Sequence, residues 1–362
     1  MIDHMHYVPI LKGRYGEYGA LHAMSADDKE TITPVVEIPP IPWDFKNDQP
    51  AKTIDQHLLK VDSNLERSWG IDRALYVDLL EIGETERMRD GTHPLTYVFE
   101  KARKKGVQAI PVTGFAIGDD YQLAIRDIIK DDRRGVCLRL QREDFEESND
   151  LHSQISALLN TLHVPKSETD LILDLRALNL QDRGNASIDV PSMIRSLPHL
   201  QRWRSFVLGA TAFPVDLMGL PPSEISVIPR SEWILWKDLV VRRRVPRLPT
   251  FSDYGISHPQ PSEVDPRVMR ASASIRYTTE KAWLILKGKN LKDHGYNQFH
   301  DVSNKLLNKS EYSGPEFSWG DRYICECASR RVSSGNLTTW RKVGTSHHIA
   351  YVRQQLATLA SS

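Results

Sequence analysis

The sequence predicts an α/β fold: a closed (β/α)8 TIM-like barrel followed by a C-terminal α+β appendage. Three observations lead there. Short, continuous apolar runs recur through the first two-thirds of the chain, the pattern of parallel strands covered on both faces. Segments of helical period lie between them. Eight such steps occupy roughly 250 residues, the size of a barrel of this kind. An open doubly wound sheet shares the same alternation and is the alternative, because periodicity does not report closure.

Strands are expected at 7–12 (YVPILK), 33–38 (TPVVEI), 74–79 (ALYVDL) and 107–112 (VQAIPV). Four more follow at 135–140 (GVCLRL), 170–175 (DLILDL), 205–210 (SFVLGA) and 247–253 (RLPTFSD). Between them, 53–69 places Ile54, Leu58, Val61 and Leu65 on one helical face and stops at Gly70. A helix over 94–105 ends at Gly106, with Lys101, Arg103, Lys104 and Lys105 near its last turn, where cations suit the helix dipole. Helices are also expected at 121–130, 151–162, 191–200 and 231–241.

After Asp253 the rhythm changes. A Pro-rich loop is expected at 257–266 (SHPQPSEVDP), a hairpin at 272–277 and 282–287, and a helix at 294–307. A strand is expected at 322–328 and a last helix from Ser346, with Ile349, Val352, Leu356 and Leu359 on its apolar face. This divides the chain into a barrel over 1–256 and an appendage over 257–362 packed on it. The stretch 317–356 is the richest in aromatic, basic, Gly and His residues, and is expected to form a lid or wall over the barrel mouth.

Composition limits the functional classes. Lys plus Arg equals Asp plus Glu at 47 each, so the whole chain carries no long-range attraction to nucleic acid or anionic membranes. The three cysteines, Cys137, Cys325 and Cys327, lack CxxC spacing and argue against a disulfide framework or zinc cluster. Cys325 and Cys327 would share one face of a strand as small buried side chains. No stretch approaches the roughly 18 apolar residues of a membrane span, and MIDHMHYVPIL enters a strand without a signal-peptide core. A soluble protein of the reducing cytoplasm is expected.

In a barrel, function sits at the carboxyl ends of the strands. Charges recur there at matched positions: Lys12, Glu37, Asp78, Arg139, Asp174 and Asp253. Such a set can hold a divalent metal through oxygens, position a phosphate or perform acid/base chemistry; a salt-bridge network is the plain alternative. Glu37, Asp78 and Asp174, with His347, are the catalytic candidates; Lys12, Arg139, Asp253, Arg341, Ser346 and His348 are the ligand-binding ones. Gly344, Thr345 and Ser346, preceded by Arg341 and Lys342, would open the last helix as an anion or phosphate site. His347 and His348 would sit in its first turn, where the positive helix end favours neutral imidazole. Pointing about 100° apart, they do not suit one metal ion.

Three other features have plain readings. Gly13, Gly16 and Gly19 suggest a mobile first loop, and Trp43 either lines the mouth or anchors packing. Arg242, Arg243, Arg244 and Arg247 form the one concentrated basic patch, on the face away from the mouth; it reads as solvated surface, with a partner-protein or nucleic-acid contact as the minority alternative.

The segments YVPILKGRYGEYGAL, PVVEIPP, LILDLRAL, FSWGDRYI and TWRKVGTSHHIAYVRQQL, in this order, resemble the beta protein family of phage satellites and prophage-like elements. The resemblance spans essentially the whole chain. It implies a component of a phage-defence or toxin-control cassette, with a lethal partner of the Gop kind encoded nearby, and carries no catalytic motif to particular positions. The other reading, from the strand-end charges, is a barrel enzyme, hydrolase or phosphodiesterase-like, acting on a phosphorylated or nucleotide-like ligand. Convergence of Glu37, Asp78, Asp174, Arg341 and His347 on one cavity would favour the enzyme.

Overall fold

The eight apolar runs expected as strands fold as parallel strands in the computed structural model, which describes residues 2–147, 150–178, 189–260 and 271–360. The chain passes through β1 (Ile10–Lys12), α1 (Tyr15–His22), α2 (Ala26–Lys29), β2 (Val35–Glu37) and a small hairpin, β3 (Trp43–Asp44) with β4 (Gln49–Pro50). Then come α3 (Ile54–Leu58), α4 (Val61–Trp69), β5 (Ala74–Asp78), α5 (Pro94–Lys104), β6 (Gln108–Thr113) and α6 (Asp119–Asp132). Next are β7 (Val136–Gln141), α7 (Glu143–Glu147), α8 (Leu151–Leu162), β8 (Thr169–Ala177), α9 (Val190–Ser196) and β9 (Ser205–Thr211). The chain continues with β10 (Ile225–Pro229), α10 (Ser231–Val241) and β11 (Thr250–Asp253). It ends with β12 (Ser272–Thr278), β13 (Ala282–Asn290), α11 (Leu291–His294), α12 (Gln298–Leu307), α13 (Trp319–Ala328) and α14 (Leu337–Ala360).

The large sheet has the order β1-β2-β5-β6-β7-β8-β9-β11, and its pairings are parallel. Tyr7 joins its two ends by bridging Ile32 on one side and Phe251 on the other, and Val8 N–H donates to the Phe251 carbonyl at 3.0 Å. The closed barrel, rather than the open sheet, is therefore the fold. Side chains alternate across its wall. Ile10, Val35, Tyr76, Cys137, Ile172 and Val207 pack together in one apolar cluster inside, while Leu11, Val36, Val77, Leu138, Leu173 and Leu208 join the larger cluster under the helices.

A second sheet, β10-β13-β12, is antiparallel and packs with α12 and α13 around its own core of Ile275, Tyr277, Leu286, Phe299, Leu306 and Ile324. Its first strand, β10, comes from the segment between β9 and α10, where no strand is expected from the sequence. The helix α14 belongs to both cores. Trp340 and Val343 lie in the small one, and Ile349, Val352 and Leu356 in the barrel's. Among the described residues, no helix is long and apolar enough to cross a membrane.

Several local expectations are corrected. The segment 322–328 is part of α13, started by Ser318, whose Oγ accepts from Asp321 N–H at 3.1 Å; Cys327 is buried and Cys325 half-buried on a helix, not on one strand face. The last helix begins nine residues before Ser346, where the Asn336 side chain accepts from Thr339 N–H at 3.0 Å. Gly344 inside it is required by packing, since a Cβ there would lie 2.7 Å from Ile256 and 3.0 Å from the Arg276 carbonyl. The first loop is helical from Tyr15, with Gly16 and Gly19 against α14. The helix over 53–69 breaks between Leu58 and Val61. Trp43 stands 45% exposed on the small hairpin. Residues 261–266 of the Pro-rich loop lie outside the described residues.

Candidate functional site at the barrel mouth

The register of the sheet builds the site. Lys12, Glu37 and Asp78 are the last residues of three adjacent strands and pair side by side, Lys12 with Glu37 and Glu37 with Asp78. Each lies two residues after an inward-facing apolar residue, so each projects into the barrel one step above the apolar layer. Arg139 and Asp174 follow Cys137 and Ile172 in the same way.

Arg139 is the hub. Its Nη1 donates to Glu37 Oε1 at 2.8 Å and to Asp78 Oδ2 at 2.5 Å; its Nη2 and Nε donate to Asp174 Oδ2 at 2.6 and 3.0 Å. Nη2 also donates to Tyr254 Oη at 2.6 Å, and that hydroxyl donates to Asp174 Oδ2 at 2.5 Å. Lys12 Nζ stands 2.6 Å from Glu37 Oε2 and donates to the Pro259 carbonyl at 2.9 Å. All six side chains are buried. Unpairing a buried ion pair of this kind costs about 3–5 kcal/mol, so the network holds its members rigidly. The carboxylates that would ligate a divalent metal surround a guanidinium instead. Among the described residues, no group of three or more His, Cys, Asp or Glu side chains is arranged around a metal position.

The three acids are not equivalent. Burial pushes Glu37 up, but Arg139 and Lys12 outweigh it and hold the carboxyl below its ordinary range. Burial also pushes Asp78 up; there Arg139 offsets it only in part, Glu37 adds to it, and the carboxyl stays raised. Just beyond the end of β5 lies a cavity of about 320 Å3 lined by Leu79, Glu81, Glu84, His93, Ile117 and Tyr121 among others.

Asp253 belongs to a second network beside the first. Its Oδ1 accepts from Tyr7 Oη at 2.6 Å, and its Oδ2 lies 2.9 Å from His348 Nε2. Burial pushes the His348 ring down, so it is neutral, donating from Nε2 to Asp253 and accepting at Nδ1 from Thr278 Oγ1 at 2.8 Å. Neutrality was expected from the helix dipole; burial supplies it instead. Arg230 and Glu232 lie against this network, fully buried, with Arg230 Nη2 at 4.0 Å from Asp253 Oδ2 and its guanidinium over the rings of Trp233 and Trp283.

His347 points elsewhere. Its Nδ1 lies 2.9 Å from Asp321 Oδ2, its Nε2 2.8 Å from the Thr278 carbonyl, and its ring stacks on Tyr277 at 3.7 Å, inside the C-terminal core. Ser346 is in mid-helix, so the expected anion site at a helix start is not formed. Arg341 reaches the rim, where Nη1 donates to Ser257 Oγ at 2.9 Å. Of the basic patch, Arg242 and Arg244 pair with Asp238 at 2.9 and 3.3 Å, and Arg247 donates to the Leu200 and Trp203 carbonyls.

Glu37, Asp78 and Asp174 thus meet as the strand-end pattern implies, and His347 does not join them. Sequence reasoning missed Tyr254, Tyr7 and Arg230. Tyr254, immediately after the strand-end Asp253, was the one with a positional signal.

The model of the family described as Beta protein matches residues 7–354. No curated protein matches the chain. Among solved structures, a point mutant of the tryptophan synthase alpha-subunit from the hyperthermophile Pyrococcus furiosus is 9% identical, with 70% of this chain and 89% of that chain covered and a TM-score of 0.38. The YdjI aldolase from Escherichia coli K12 is 6% identical, with 97% and 91% covered and a TM-score of 0.35. Likenesses of this size say nothing about activity.

Proposed function

The chain belongs to the Beta protein family, and from that premise we propose that it is the controlling component of a phage-defence or toxin-control cassette, acting by binding a growth-arresting partner protein of the Gop kind. The observation that carries this reading is the condition of the mouth. Its acids and bases are paired with one another and buried, with Arg139 saturated by three carboxylates and a tyrosine hydroxyl. A turnover site keeps a general acid or base within reach of its substrate; here the one histidine among the catalytic candidates is enclosed in another core. The barrel reads as a rigid scaffold whose outer surface does the work. Expressing the lethal neighbour in cells with and without this chain tests it: arrest should be relieved only when the chain is present, and arrest of equal depth in both cultures removes the antidote role.

Asp78 favours a second reading, a hydrolase or phosphodiesterase-like enzyme acting on a phosphorylated or nucleotide-like ligand. Its carboxyl is raised by burial and ends the strand beside the 320 Å3 cavity. Hydrolysis of phosphomonoesters or phosphodiesters by the purified protein, lost in Asp78→Asn, would move the assignment to the enzyme. Absence of turnover leaves the control role standing.

A further inference from the structure

The two edges of the small antiparallel sheet are treated differently. Hydrogen-bonded pairs alternate along such a ladder, so its register fixes which residues turn their peptide groups outward. On β12, Thr279 N–H donates to the Ala282 carbonyl at 2.8 Å, which turns Arg276 and Thr278 away from β13. That edge is closed: the Thr278 carbonyl lies 2.8 Å from His347 Nε2, and the Arg276 carbonyl packs against Gly344 of α14. On β10, Lys287 N–H donates to the Glu224 carbonyl at 3.4 Å and Arg230 N–H to the Lys281 carbonyl at 2.8 Å. The even-numbered residues of β10 therefore face β13. Ile225 and Val227 present both N–H and C=O to the other side, and Pro229 its carbonyl. Among the described residues, nothing pairs with them there.

Exposed edges are ordinarily guarded by lysine, a bulge, proline or a covering element. β10 reads ISVIP, with no charge along it and Pro229 only at its end. Val227 is 64% exposed. It sits opposite Leu284, as Ile225 sits opposite Leu286, on the face of the sheet that carries the C-terminal core. A cleft of about 400 Å3 opens on that same face, between Ile225 and α12. Lys287, Lys289, Lys305 and Arg330 line it against Glu224 and Asp301. Asp301 stands 4.0 Å from Arg330. Lys287 Nζ donates to the Leu217 and Leu220 carbonyls at 2.7 Å, which leaves its charge unmatched by an acid. Among the described residues, the Lys289 and Lys305 side chains have no acidic partner. A bare backbone ladder thus runs beside a cleft with surplus positive charge.

We propose that the free edge of β10 takes up an extended acidic segment of a partner protein as an additional strand. Ile225 and Val227 supply the ladder, which gives affinity without reading sequence. Specificity comes from alternate side chains of the added strand: an apolar one beside Val227, and an acidic one further along the same face, toward Ile225 and the lysines of the cleft. The inference rests on the partner-binding reading and gives that partner a place to dock.

Fluorescence anisotropy of the full chain tests this. The probe is a short labelled peptide of alternating valine and threonine with glutamates at one end; its twin carries lysines instead. Val227→Pro deletes an N–H that the sheet does not use, and Val227→Lys gives the edge its ordinary guard without altering the backbone. The acidic peptide should bind saturably, and either substitution should weaken it about tenfold. The lysine twin should bind about tenfold more weakly to the parent, and Lys289→Glu with Lys305→Glu should reverse that preference. No saturable binding of the acidic peptide, binding undiminished in both Val227 variants, or equal binding of the two peptides overturns the proposal. So does a dimer of the parent chain on gel filtration that Val227→Lys dissociates, since the edge would then belong to a second copy. Co-expression with the lethal neighbour separates the surface from the role. Arrest relieved equally by the parent and both Val227 variants keeps the control role and overturns the surface, whereas peptide binding without relief keeps the surface and removes the role.

Discussion

Glu232 shows what burial does to a single group. Its Oε2 accepts from Ala212 N–H at 3.1 Å, but Oε1 has no hydrogen-bond partner and Arg230 Nε stands 3.5 Å away. Burial raises this carboxyl to about 8, with Arg230 opposing only in part. The folded chain then keeps a proton that the unfolded chain has released, so this group's contribution to stability falls as pH rises from the ordinary carboxylate range to about 8. Glu232→Gln removes that contribution. The stability of the variant relative to the parent should therefore rise across the window, by at most about 1.4 kcal/mol per pH unit. Urea unfolding of both proteins near pH 5 and near pH 8 measures it, and an unchanging difference would mean that Glu232 is ionised in the fold. The same scale explains what the sequence left unread. Strand-end charges were legible because side-chain period and strand length fix where Lys12, Glu37, Asp78, Arg139 and Asp174 point. Their partners were not, because pairing joins residues as distant as Glu37 and Arg139, and no local pattern records which charge meets which.

Between elements, α1 packs backbone-close against α14. A Cβ on Gly16 would lie 2.8 Å from Arg341 Cβ and 2.9 Å from the Thr338 carbonyl, both unable to yield without moving a helix. A Cβ on Gly19 would meet only the flexible Lys342 side chain, at 3.0 Å. Alanine gains about 1 kcal/mol over glycine in a helix, while overpacking at a fixed contact costs about 1–3 kcal/mol. Gly16→Ala should therefore lose stability, by up to about 2 kcal/mol, and Gly19→Ala should hold or gain; thermal unfolding of the pair separates them, and equal behaviour would refute the close contact. Element identity was legible for long apolar runs and misjudged near Ser318 and Asn336. There a single capping side chain, not periodicity, decides where a helix begins. Of the glycines that resembled a mobile loop, Gly16 is small because the close approach of α14 requires it.

Over the whole molecule, the barrel draws its covering layer from the far end of the sequence. Ile349, Val352 and Leu356 of α14 are buried in the barrel core, and His348 holds Asp253 at the end of the last barrel strand. A chain ended at residue 256 would expose that face and leave Asp253 without its histidine partner. It should show no cooperative unfolding transition by circular dichroism; a sharp transition with the parent's secondary structure would show that the barrel stands alone. Barrel architecture was legible from rhythm and length, whereas closure was not. The ends are joined by Tyr7 with Phe251, an encounter across almost the whole barrel segment.

This arrangement gives α14 a consequence in time as well as in space. Domains emerging from the ribosome ordinarily fold in order, the first before the next is complete. Here the barrel's flank stays uncovered until residues near Leu356 have been made, so the barrel completes its packing only once α14 is available. A message cut short by a nuclease or an early stop codon yields a chain without that flank, fit for proteolysis rather than for work. The order in which the fold is completed is thereby set by the position of one helix.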